Sequence, residues 1–133
     1  VAAVHELAGE LRRSRAALGG ASRDAEITAG AHAIHAGVTA AELTALRHAA
    51  VGRPLTTPIM VLTDLVARGV PPATASTAVA SLERAGLRNA DFTAYQRSVR
   101  QDIDRGADPA AATTTRARGA VLHRGGGPIP IQP

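Results

Sequence analysis

Residues 58–87 read PIMVLTDLVARGVPPATASTAVASLERAGL, and their punctuation decides the fold class. Ile59, Met60, Val61, Leu62, Leu65 and Val66 stand so close together that a helix from Pro58 to Arg68 is apolar around most of its circumference, the pattern of a helix enclosed by others. Gly69 tolerates left-handed backbone angles and Val70 stands where a Schellman stop places its hydrophobic contact. Pro71 and Pro72 then open a second helix with φ already fixed. Ala75, Ala78, Val79, Leu82 and Ala85 recur at steps of three and four, one helical face, and Gly86-Leu87 repeat the stop used at Gly69-Val70.

The same reading extends outward to the whole chain and predicts about seven short helices. Before the central pair, Val4, Leu7, Leu11 and Leu18 form a heptad-like seam in a helix over residues 1–18. Its glutamates, Glu6 and Glu10, lie early and its arginines late, as the helix dipole favours. Gly19-Gly20 ends that helix, and Ser22 is the expected N-cap of a second one with Asp24 and Glu26 in its first turn and Ile27, Ala31 and Ile34 on its buried face. Gly37-Val38 stops it, Thr39 caps a third helix from Ala40 to Val51 carried by Leu43, Leu46 and Ala50, and Thr57-Pro58 supplies a cap and first-turn proline for the fourth. After Leu87, Asn89 is the expected cap of a helix in which Phe92, Tyr95, Val99 and Ile103 recur at steps of three, four and four; a strand would scatter those four over both faces. Gly106-Ala107-Asp108-Pro109 ends it and starts a last helix to about His123, where Ala and Thr replace Leu and packing is expected to be weaker. From Gly125 onward the Gly/Pro-rich end reads as an extended tail, giving one helical domain over 1–123, continuing upstream of residue 1, and a flexible segment over 124–133.

The glycines at 20, 37, 52, 69, 86 and 106 are separated by 17, 15, 17, 17 and 20 residues, one short helix and one tight turn per interval. Two helices in roughly 32–37 residues is the period of helical-hairpin repeat arrays, and short-looped antiparallel bundles share it. Both architectures fit.

Composition limits the chemistry. With one Phe, one Tyr and no Trp, the core rests on Leu, Val, Ile and Ala, so stability must accumulate from many thin contacts. Zero cysteines exclude disulfides, thiolate metal sites and a cysteine nucleophile. All 15 basic residues are Arg; with 11 acids they leave a net charge of +4, spread without any basic block. No run approaches a membrane span. His32 and His35 lie one turn apart, the nearest approach to metal-ligand spacing, but two ligands fall short of a zinc site and nothing adjacent completes it. His5, His48 and His123 are isolated, no nucleophile elbow, phosphate loop or dinucleotide fingerprint occurs, and Asp102 and Asp104 point to different faces as solvated charges. No catalytic, cofactor-binding or metal residue is therefore assigned.

Val70 to Leu87, ending Leu82-Glu83-Arg84-Ala85-Gly86-Leu87, resembles the recognition-helix segment of winged helix-turn-helix regulators of the MarR type. That resemblance implies DNA binding through the helix Pro72–Ala85. Its base-facing residues would be Pro72, Ala73, Ser76, Thr77 and Ala80, none of which is Arg, Asn or Gln. Over most of its length the alternation of Ala/Arg-rich helices with starters such as Gly69-Val70-Pro71-Pro72 resembles a loose group of exported bacterial helical proteins with no activity attached. This implies an extracytoplasmic location and helices upstream of Val1. The residues themselves favour a non-enzymatic structural or interaction module whose partner is another protein or a second copy, with DNA as the alternative.

Overall fold

A computed structural model of the chain describes residues 2–19, 23–50 and 52–125. Among the described residues there are seven helices and no strand: α1 (Ala2–Leu18), α2 (Asp24–Ala36), α3 (Ala40–Ala49), α4 (Thr56–Ala67), α5 (Pro72–Arg84), α6 (Asn89–Asp104) and α7 (Pro109–Gly125). The protein is all-α. The expected stop at Gly20, the Ser22 cap, the C-terminal residue Val51 of the third helix, the Val4 side chain and the tail over 126–133 lie outside the described residues.

Local chemistry explains the helix ends. Thr39 Oγ1 accepts from the Glu42 backbone N–H at 3.1 Å, and Glu42 Oε1 accepts from the Thr39 N–H at 2.9 Å, a reciprocal capping box opening α3. The α4–α5 turn closes with the Val70 N–H on Leu65 O at 3.0 Å and the Gly69 N–H on Val66 O at 3.1 Å. Gly69 holds φ at 99°, where a side chain would strain the backbone. Val38, Leu87 and Ala107 donate to Ala33, Leu82 and Asp102 in the same way, so four turns share one hydrogen-bond pattern.

Two expected caps and one helix end are displaced. α4 begins at Thr56 with Leu55 as its N-cap, so Pro58 is the third helical residue; the missing proline N–H costs nothing there, because first-turn N–H groups have no helical partner. Leu55 is wholly buried and fixes where the helix can begin. α6 is capped by Arg88, whose backbone N–H donates to Asp91 Oδ2 at 2.8 Å, and Asn89 is the first helical residue. α7 reaches Gly125, past the expected end at His123.

The core follows the central stretch, with Ile59, Leu62 and Leu65 at 0 % exposure and Val61 at 2 %. α4 is nonetheless not enclosed all round: Met60 is 60 % exposed, because α2, α5 and α6 cover its other sides. α7 is held better than its composition suggests, burying Ala112, Thr113 and Ala117, and Thr113 O accepts the Tyr95 hydroxyl at 3.0 Å. Burial raises the Tyr95 pKa above its ordinary value, which keeps the hydroxyl a donor. Packing runs in two series, α1 with α3, α3 with α5, α5 with α7, and α2 with α4, α4 with α6; the series are joined at α1–α2, α4–α5 and α6–α7. Every one of these pairs joins helices one or two apart in the sequence.

The α1–α2 crossing is close. Position 14, skipped by the α1 leucine seam, is a wholly buried Ser14 whose hydroxyl donates to Ile27 O at 2.7 Å. Opposite it stands Gly30, where an added Cβ would lie 2.1 Å from Ser14 Oγ and 3.0 Å from Leu18 Cδ1.

Two stability measurements test this packing. Leu62→Ala should cost about 2–5 kcal/mol in chemical denaturation by opening a cavity, while Leu122→Ala, at a site 73 % exposed, should stay within about 0.5 kcal/mol. Gly30→Ala should destabilise by about 1–3 kcal/mol through overpacking, although alanine is the better helix former by about 1 kcal/mol; a gain in midpoint would refute the close crossing.

Candidate interaction surface

The most elaborate polar arrangement is internal. Glu26, the third residue of α2, accepts from the Arg23 backbone N–H through Oε1 at 2.9 Å and turns Oε2 inward, where it receives the Leu55 N–H and Arg47 Nη2 at 3.0 Å. Arg47 on α3 also donates from Nε to Leu18 O at 3.2 Å and from Nη1 to Arg53 O at 3.1 Å. Arg53 in turn reaches α5, its Nε lying 3.3 Å from Glu83 Oε1. Glu26 and Glu83 are 4 % and 2 % exposed. Burial pushes the Glu26 carboxyl up, but the backbone donors Arg23 and Leu55 and the Arg47 guanidinium outweigh it and hold the pKa below its ordinary 4.5. At Glu83 burial wins over the charges of Arg53 and Arg47, and the pKa is raised. The arrangement ties α1, α2, α3, α5 and the entry to α4 together.

Elsewhere polar residues pair across helices. Asp102 on α6 is held by Arg116 on α7 through Nε at 2.6 Å and Nη2 at 2.8 Å, a bidentate pair that keeps the aspartate below its usual pKa. Asp102 is therefore bonded across the interface, whereas Asp104 is exposed. His32 and His35 are both exposed, and His35 Nδ1 lies 2.9 Å from Glu10 Oε2 on α1. Among the described residues no three His, Cys, Asp or Glu side chains gather as metal ligands. No described helix is long and apolar enough to cross a membrane.

Among the described residues, three open clefts stand out on the surface. One of about 910 Å³ runs between α6 and α7, past Tyr95, Ser98 and the Asp102–Arg116 pair, over Gly119. A second, about 560 Å³, lies where α2, α4 and α6 meet, with His32, Met60 and Gln96 around it. The third, about 750 Å³, separates α5 from α7 and is mostly apolar, with Ala78 and Ala117 in its floor and Val121 and Leu122 on its wall. Of the residues offered as a DNA-reading face, Ser76 and Ala80 are buried and Pro72 is half-buried, while Ala73 and Thr77 line this third cleft. Sequence periodicity did not reveal these clefts, since each is built from residues of separate helices.

No known protein family, curated protein or solved structure matches the chain.

The two buried glutamates should respond oppositely to acid. Glu26, with its lowered pKa, contributes stability that is present above pH 4.5 and lost as pH falls through the folded-state value; Glu83, with its raised pKa, contributes stability below 4.5 that is lost as pH rises. Glu26→Gln should therefore cost about 1.5–3 kcal/mol at pH 7 and flatten the acid limb of stability. Glu83→Gln should change stability at pH 7 by no more than about 1 kcal/mol and steepen that limb. Denaturant melts from pH 7 to 3 distinguish the two, and parallel curves for both variants would refute the assignment.

Proposed function

We propose that the chain is a non-enzymatic module of helical-hairpin repeats that binds another protein through grooves between its helices. The packing pattern carries this reading: each helix packs on helices one or two along the sequence, as in repeat arrays whose units contact their neighbours. The glycine interval and the shared turn chemistry support it, since one stop-and-start grammar recurs at the ends of α2, α4, α5 and α6. Such an array gains surface in proportion to its length and leaves grooves between adjacent helices, the form in which helical partners are usually received.

The regulator reading finds less support. α6 occupies residues 89–104, where a winged regulator has a β-hairpin, and the face of α5 that would meet DNA is partly buried. Cross-linking in the cells that make the protein, followed by peptide mapping, tests the proposal: one discrete protein should be joined to cleft residues of the array. A sequence-selective duplex footprint that persists at physiological salt and vanishes with Thr77→Ala, or turnover of a substrate by the purified chain, would overturn it.

A further inference from the structure

We infer that the cleft between α5 and α7 receives an acidic amphipathic helix of a partner protein, its aliphatic side chains on the alanine floor and its carboxylates on Arg118. This rests on the reading of the chain as an interaction module and names the surface and the chemistry of the partner. Three properties of the cleft lead to it. Its floor and walls are largely apolar, and Leu122, 73 % exposed, is the most exposed large hydrophobic side chain among the described residues. An aliphatic side chain laid beside Leu122 removes apolar surface from water at about 25 cal/mol per Å².

Its charge has one sign. Arg118 lines the cleft, and Arg84, exposed, continues the stripe of α5 set by Thr77 and Ser81. Neither arginine has an ion-pair partner among the described residues, a condition shared by Arg12, Arg13, Arg15, Arg23, Arg88, Arg97 and Arg105, but Arg118 alone of these lines an apolar cleft. α7 contains no acid, and the one acid of α5, Glu83, is buried against Arg53. An incoming helix with carboxylates flanking its apolar stripe satisfies these charges, and a basic one is repelled.

Its shape suits a helix. Ala78 and Ala117 keep the floor low, and Thr74, Thr77 and Ser81 lie along the α5 side, so ridges of a third helix can settle between two parallel rows. A second copy of the chain is a poor occupant through α1: its Leu7 stands beside one exposed acid, Glu6, while Glu10 is engaged by His35, and the exposed Arg12, Arg13 and Arg15 that follow would face Arg118 and Arg84.

The experiment uses the full chain and a fluorescent synthetic helix with leucines at i, i+4 and i+7 flanked by glutamates, alongside a version with lysine in place of every glutamate. Binding is read by anisotropy at two salt concentrations. The glutamate peptide should bind and weaken with salt, Leu122→Asp should abolish binding, and Arg118→Glu should weaken it by at least about tenfold while allowing the lysine peptide to bind. Both substitutions are at exposed positions, so circular dichroism should show unchanged helix. Equal binding of the two peptides by the wild-type chain, binding indifferent to Leu122→Asp and Arg118→Glu, or no peptide binding beside capture on vesicles of phosphatidylcholine and phosphatidylserine would each overturn the inference. A cellular partner cross-linked only at another cleft would remove this groove and leave the module reading standing, whereas a DNA footprint would remove both.

Discussion

The hydrogen-bonded ion pair of Glu26 and Arg47 is the constraint on which the rest of the packing depends. Glu26 closes the first turn of α2 with one oxygen and anchors the entry to α4 with the other, while Arg47 spans the end of α1 and the connector at Arg53. Through Arg53 the chain of contacts reaches α5. A charge removed from water costs several kcal/mol unless its partners replace the lost hydration, and here backbone N–H and C=O groups from four segments do so. Those groups belong to loops and helix ends that hydrophobic contacts alone would hold loosely. The pair therefore converts the register of five segments into one geometry.

Around this junction the core is built by small residues as much as by large ones. With almost no aromatic area to bury, helices must approach closely, and the Ser14–Gly30 crossing shows how: a hydroxyl bonded to a backbone carbonyl fills the space a larger side chain would occupy. Alanines serve the same purpose between α5 and α7, where Ala75, Ala78, Ala112 and Ala117 are buried. The single tyrosine contributes its ring to the core and its hydroxyl to the next helix, so α6 and α7 are joined by a directional bond as well as by area.

The same economy leaves grooves. Open furrows lie beside these contacts, flanked by longer side chains. The furrows differ in what their rims carry. The α6–α7 cleft carries the Asp102–Arg116 pair and the capping carboxylate of Asp91, and the cleft beside Met60 has Asp64 bonded to Arg68. The α5–α7 cleft combines an exposed arginine that has no ion-pair partner among the described residues with the exposed Leu122.

The sequence by itself determined the helices and their stops. Period-3.6 patterning and glycine-hydrophobe-proline punctuation act over five or six residues, and the bonds they specify, such as Val70 N–H to Leu65 O, close within that distance. It also marked Phe92, Tyr95 and Val99 as one buried face of a helix. Only the tertiary structure decided the rest. Glu26 read as a first-turn acid, and nothing adjacent to it announced Arg47, 21 residues on, or the Leu55 N–H, 29 residues on. Met60 belonged by pattern to an enclosed helix and became exposed, because the number of helices that surround α4 is set by packing and not by its own residues. The grooves were illegible for the same reason: a groove is a property of two helices at a distance, and hydrophobic periodicity reports which face of a helix is buried without saying against what.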